Sequence, residues 1–149
     1  MKKLFLFIFL AIGIVCPAQN SLNLKADNIV GTYKGRQGDD QFRAKVEKMK
    51  DGTYRCQVIW LEHCTDAKGH KLLDTKNPEK KLRNNPLDRV VLFSGLEYNK
   101  KEKRWDGCKI YDPQRGIRAN LKAEFMEDGR LRLKGSLLGI SESVYWTKE

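Results

Sequence analysis

From residue 30 onward, apolar and polar side chains alternate with a period of two. Phe42, Ala44 and Val46 are interleaved with Gln41, Arg43, Lys45 and Glu47. The same alternation sets Leu121, Ala123 and Phe125 against Lys122 and Glu124, and Leu131 and Leu133 against Arg130, Arg132 and Lys134. Successive side chains of an extended chain point to opposite faces, so the pattern predicts strands with one buried and one solvated face. A helix would space its apolar residues three and four apart, and no long segment does so.

The breaks between these runs carry turn chemistry. Lys50-Asp51-Gly52 and Glu127-Asp128-Gly129 contain Asp-Gly, which supplies the positive φ of a tight hairpin turn. Asn99 to Lys103 reads as a polar connector and Gly139-Ile140-Ser141 as a short one. Counting between breaks predicts eight strands, at about 30–37, 41–49, 53–61, 88–98, 104–111, 117–126, 130–137 and 142–147. Only the connection at 62–87 is long. Eight sequential antiparallel strands are most simply closed into an up-and-down barrel, which removes exposed sheet edges. The alternative is a sandwich of two sheets.

The first residues break the pattern. Lys2 and Lys3 precede an uncharged apolar run from Leu4 to Val15, and Cys16-Pro17-Ala18 offers a small residue for cleavage. The run is too short to span a membrane and reads as an export signal over 1–18, leaving one β-barrel domain at 19–149. The expected location is periplasmic or secreted. The chain carries 29 basic and 19 acidic residues; without Lys2 and Lys3 the balance is 27 to 19, a net charge of +8. Such a surface suits an anionic envelope surface or plain solubility, and no nucleic-acid-binding motif accompanies it.

Cys56, Cys64 and Cys108 would survive cleavage. An oxidising compartment favours one disulfide. Cys56 and Cys64 lie along one extended segment that holds them apart, so Cys64–Cys108 is the expected bridge, with Cys56 a buried thiol.

Candidate ligand-binding residues come from two turn-rich motifs and the aromatic positions near them. Asp74, Asn77 and Arg83 lie in the long loop, where a carboxylate, an amide and a guanidinium either line a barrel mouth or pin the loop through an Asx turn and an Arg83–Asp74 pair. Trp60 shares the face of Tyr54, Cys56 and Val58 by parity, while Trp105 and Tyr111 flank the second motif; each is a packing or a ligand-stacking residue. Asp112, Pro113 and Gly116 read as a turn. His63, Cys64, Asp66 and His70 match no metal-site spacing, so neither a metal nor a cofactor is expected. Nucleophile, phosphate-loop and helical zinc motifs are absent, so no catalytic residue is assigned.

Taken in order, Gly31-Thr32-Tyr33, Val58-Ile59-Trp60, Asp74-x-x-Asn77-Pro78, Arg83, Pro86-Leu87, Trp105-x-Gly107, Ile110-Tyr111-Asp112-Pro113-x-x-Gly116, Leu133-x-Gly135 and Trp146-Thr147-Lys148 resemble the exported bacterial family known as domain of unknown function 2147. Asn85, Arg89 and Ala119 depart from that pattern. The resemblance implies a lipocalin-like barrel, in which Gly31, Tyr33 and Trp146 would close one end. The function expected is binding of a small or lipidic molecule, with the 62–87 loop at the open end. The alternatives are a filled barrel serving as an interaction module and, further off, a hydrolase using carboxylates in the mouth.

Overall fold

The computed structural model describes residues 20–149; the export signal read at 1–18 lies outside them. Among the described residues the strands are β1 (Gly31–Gln37), β2 (Asp40–Lys48), β3 (Tyr54–Leu61), β4 (Val91–Asn99), β5 (Arg104–Asp106), β6 (Lys109–Asp112), β7 (Ile117–Phe125), β8 (Leu131–Leu137) and β9 (Ile140–Lys148). Each pairs antiparallel with its sequence neighbours, except that β5 and β6 do not pair with each other, and two further contacts close the ring. β1 pairs with β9 through Tyr33 and Lys148, and β5 pairs with β7 through Trp105 and Ala123. β5 and β6 are one stave interrupted at Gly107, whose φ of +89° bends the chain. The result is the expected closed barrel of eight antiparallel staves, and the sandwich is excluded.

The staves divide the barrel into two unlike ends. Around the closed end sit the β2–β3, β4–β5 and β7–β8 turns, together with the segment before β1. That segment forms 3-10 turns at Ser21–Asn23 and Ala26–Ile29 and acts as a stopper. Asn23 mimics a strand: its Nδ2 donates to the Phe125 carbonyl at 2.9 Å and its Oδ1 accepts the Phe125 N–H at 2.7 Å. The Tyr33 hydroxyl donates to the Ile29 carbonyl (2.8 Å), and Lys148 Nζ donates to that of Asn28 (2.7 Å). Lys148 also crosses Gly31 so tightly that a Cβ there would sit 2.5 Å from its Cε. These polar groups therefore have partners, which limits the cost of covering them.

Bulk fills the closed half. Trp105 is fully buried, its ring edge-on to Phe125 with centroids 5.7 Å apart. Val46, Tyr54, Cys56, Leu121 and Leu131 complete the packing. At the other end the β1–β2, β6–β7 and β8–β9 turns and the long connection surround a mouth.

Candidate functional site

The upper half of the barrel is open. A cavity of about 360 Å³ lies between the turns at the mouth, with Leu92, Ile110, Ile117, Ala119, Leu133 and Val144 among its walls. Small residues make the space. A Cβ on Gly135 would meet that of Ala119 at 3.3 Å, so neither stave sends bulk inward there. Gly35 lies under the Phe42 ring, where a Cβ would approach within 2.3 Å, so the ring is drawn to the wall instead of across the lumen. Phe42 also meets Trp146 edge-on at 5.5 Å, and together they floor the cavity. Val144 shares the inward face of Leu133 and Trp146, yet 44 % of its surface stays exposed because it looks into this space.

The rim is polar. Asp112 accepts from Gln37 Nε2 (3.1 Å), from the Gln114 N–H (2.9 Å) and from Arg115 Nε (2.6 Å). Arg115 extends its other nitrogens to both carboxylate oxygens of Glu142, at 3.2 and 2.7 Å. Burial alone would raise the Asp112 carboxyl, but its hydrogen bonds with Arg115 and Gln114 outweigh that and hold it below the usual carboxylate range. Arg115 is thus occupied by two carboxylates. Arg36 is not: its guanidinium donates to the Asp39 carbonyl at 3.2 Å and has no carboxylate partner among the described residues.

The 62–87 connection leaves from the open end, but none of its residues lines this cavity. It stands at the open end, and Asp74, Asn77 and Arg83 do not line the cavity but hold the loop together. Tyr111 borders this cavity beside Ile110 and is at the same time buried beneath the loop. Its hydroxyl donates to Asp74 Oδ1 and Asn77 Nδ2 donates to Asp74 Oδ2, both at 2.6 Å. Asn77 Oδ1 in turn accepts the Glu79 N–H at 2.9 Å. Arg83 Nε donates to the Asn77 carbonyl at 2.7 Å, so the Arg83–Asp74 pair considered from sequence is not made. Burial, followed by the bond to Asp74, pushes the Tyr111 hydroxyl above its ordinary pKa. Gly116 locks the other side: at φ +68° its Cα sits where a Cβ would come within 2.3 Å of the Lys76 carbonyl oxygen. The two motifs that stand apart in sequence are therefore one interlocked unit, with Arg118 stacked on the Tyr111 ring at 5.1 Å. A second cleft of about 450 Å³, bordered by Asp74, Asn77, Arg89 and Lys109, lies where β4 and β6 part.

The remaining candidates lie away from the mouth. Trp60 is outside the barrel and 42 % exposed, under the Arg43 guanidinium at 5.3 Å. Parity fails there because Ala44 pairs with Val58 but Arg43 with Trp60, leaving Ile59 as a bulge that reverses the faces. Trp105 is at the closed end, its Nε1 donating to the Ala26 carbonyl at 2.9 Å. The Cys64–Cys108 bridge is not formed, and the three cysteines are free. Cys64 faces the Lys71 ammonium at 3.8 Å, in a loop whose backbone pairs with Leu72, whereas the Cys108 carbonyl is bound by Leu121 of β7. Of the metal-capable residues, His63 meets Asp40 and Glu62, while His70 pairs separately with Asp66. Sequence reading missed Arg36, Gln37, Val144 and the Leu137–Ile140 lip. The legible signal was Leu138-Gly139, an apolar turn where other turns carry aspartate.

A search of curated proteins finds no match to the chain. Among solved structures, the chain is similar to protein HP1028 from Helicobacter pylori, described as belonging to the lipocalin family. The TM-score is 0.61 and the identity 23 %, over 80 % of this chain and 82 % of that one. That likeness establishes a lipocalin-like fold. A family model covers residues 31–148, and the chain belongs to that family, described as uncharacterized protein conserved in bacteria (DUF2147).

Proposed function

We propose that the protein is a non-catalytic binder of a small apolar or lipidic molecule, held in the barrel mouth with its polar end at the rim. One observation carries this reading: a lumen of about 360 Å³ with apolar walls, open at a polar rim where Arg36 has no carboxylate partner among the described residues. The volume lies at the lower end of the roughly 300–1,000 Å³ that small-molecule sites occupy. A few polar groups on an otherwise apolar wall orient a ligand while its burial supplies the affinity. Arg115 is already neutralised and Gln37 Nε2 already donates to Asp112, so Arg36 is the group left to meet a carboxylate or similar head. The filled-barrel alternative describes only the closed half. An export signal at 1–18 would put this carrier in the cell envelope, among acyl-bearing molecules.

Native mass spectrometry of the protein purified from its own host tests the reading directly. A retained mass of a few hundred daltons is expected, together with saturable binding of anilinonaphthalene sulfonate that a single-chain fatty acid displaces. An unliganded protein that neither binds the probe nor releases it to the fatty acid would overturn the proposal.

A further inference from the structure

The β8–β9 hairpin ends in an apolar tip at the mouth. Leu137 pairs with Ile140, and the two turn residues, Leu138 and Gly139, have φ of +50° and +81°. Positive φ at both central positions is the type I′ pattern, which favours Asn-Gly or Asp-Gly. A leucine there is strained, because its Cβ crowds the backbone in the left-handed region. In the turns at Gly38-Asp39, Asp51-Gly52 and Asp128-Gly129, by contrast, only the glycine has positive φ and its neighbour is an aspartate. Leu138 is also 93 % exposed and Ile140 70 % exposed, so neither packing nor turn geometry accounts for them. Adjacent apolar residues exposed at a strained tip mark an interaction site.

We infer that this tip docks the barrel mouth onto a lipid bilayer, with Leu138 and Ile140 entering the interface between headgroups and acyl chains. The area argues for that occupant over a second copy of the chain. A stable protein interface takes about 20–30 residues a side, whereas this patch is one hairpin tip. A bilayer needs no matching surface and accepts a few apolar side chains on a protuberance. Charge agrees: without Lys2 and Lys3 there are 27 basic against 19 acidic residues, so the molecule is drawn toward anionic lipid. Docked this way, the lumen opens directly toward the acyl layer. Leu138 and Ile140 also border the cavity, but docking is read from vesicle binding and stands whether or not the lumen carries a ligand.

Co-flotation with vesicles of phosphatidylethanolamine and phosphatidylglycerol tests it, using ligand-free protein. The wild type is expected to float with the vesicles, and Leu138→Asn to lower partition about tenfold or more. Asparagine suits positive φ, so this variant should melt no lower than wild type, which separates lost docking from lost folding. Ile140→Ser should weaken partition in the same direction. Failure of the wild type to float would overturn the inference, as would equal flotation of Leu138→Asn, which would assign binding to surface charge alone. Concentration-dependent dimerisation that Leu138→Asn abolishes, seen by sedimentation velocity, would assign the tip to self-association instead. Failure of the carrier reading shows up separately, as absent probe binding in vesicle-free buffer.

Discussion

Gly116→Ala tests whether the loop and the β6–β7 turn form a single unit, because one methyl group enters at their point of contact. Two costs add at this position. The residue sits at φ +68°, where an L side chain costs about 1–2 kcal/mol. The new Cβ would also lie 2.3 Å from the Lys76 carbonyl oxygen, 3.0 Å from its Cβ and 3.2 Å from its carbonyl carbon, so the backbone itself must move. Overpacking of that kind costs about 1–3 kcal/mol, giving a total of about 2–5 kcal/mol. Gly129→Ala is the matched control: its φ is +83°, but nothing lies within 4 Å of the added Cβ. It should lose only the conformational part, about 1–2 kcal/mol. Urea unfolding of both variants measures the difference, and hydrogen exchange locates it. The Asn77 N–H, bonded to the Asp74 carbonyl at 3.0 Å, should lose protection in Gly116→Ala and keep it in Gly129→Ala. Equal destabilisation by the two substitutions, with Asn77 protected in both, would show that the 74–77 segment does not depend on its contact with Gly116.

Alkaline pH should unfold the protein. Burial, helped by Asp27 at Tyr54 and Asp74 at Tyr111, holds Tyr33, Tyr54 and Tyr111 above the ordinary tyrosine value. The folded chain then keeps protons that the unfolded chain releases, so this stability is complete below about pH 10 and declines above it. In a urea titration against pH, Tyr111→Phe should flatten the decline while costing about 1–3 kcal/mol at neutral pH, because buried Asp74 loses a donor; an unchanged slope would refute this. Val144→Phe places bulk in the lumen from a side chain that now looks into it, and should abolish probe binding without lowering the melting temperature. Arg36→Ala should weaken displacement of the probe by a fatty acid about tenfold while leaving displacement by its methyl ester unchanged, since only the carboxylate meets the guanidinium.

The strands were legible because each of them needs little beyond its own alternation. Leu121–Phe125 and Leu131–Leu133 keep perfect parity, and the Asp-Gly turns after β2 and β7 set the neighbouring registers. Parity misled wherever one residue was inserted. The Ile59 bulge turns Trp60 outward, and no local feature of Val58-Ile59-Trp60 announces it, since the bulge is defined only by pairing with β2. The mouth was illegible for a related reason. An empty lumen is marked by what is missing from Gly35, Ala119 and Gly135, and a small residue in a strand does not say which opposing bulk is absent. The Asp74–Tyr111 bond spans 37 positions, so its two motifs could be recognised singly but not joined.

The position of the stopper explains how an open mouth is tolerated. Eight staves held only by hydrogen bonds and an unfilled lumen would bury too little apolar surface to hold together. Here the apolar bulk is gathered at one end, where Trp105, Phe125 and Leu131 pack and the 3-10 segment before β1 seals the base. The other end is braced from outside: the loop packs on Tyr111 and Gly116, and Arg115 ties the β6–β7 turn to β9 through Glu142. The loop itself lines no part of the lumen, and Arg115 and Glu142 stand at its rim. Stability and vacancy thus occupy different parts of the same barrel, so a side chain such as Val144 can change the cavity without weakening the frame, while Gly116 can weaken the frame without lining the cavity. A barrel stabilised by its interior alone would not allow the two effects to be separated.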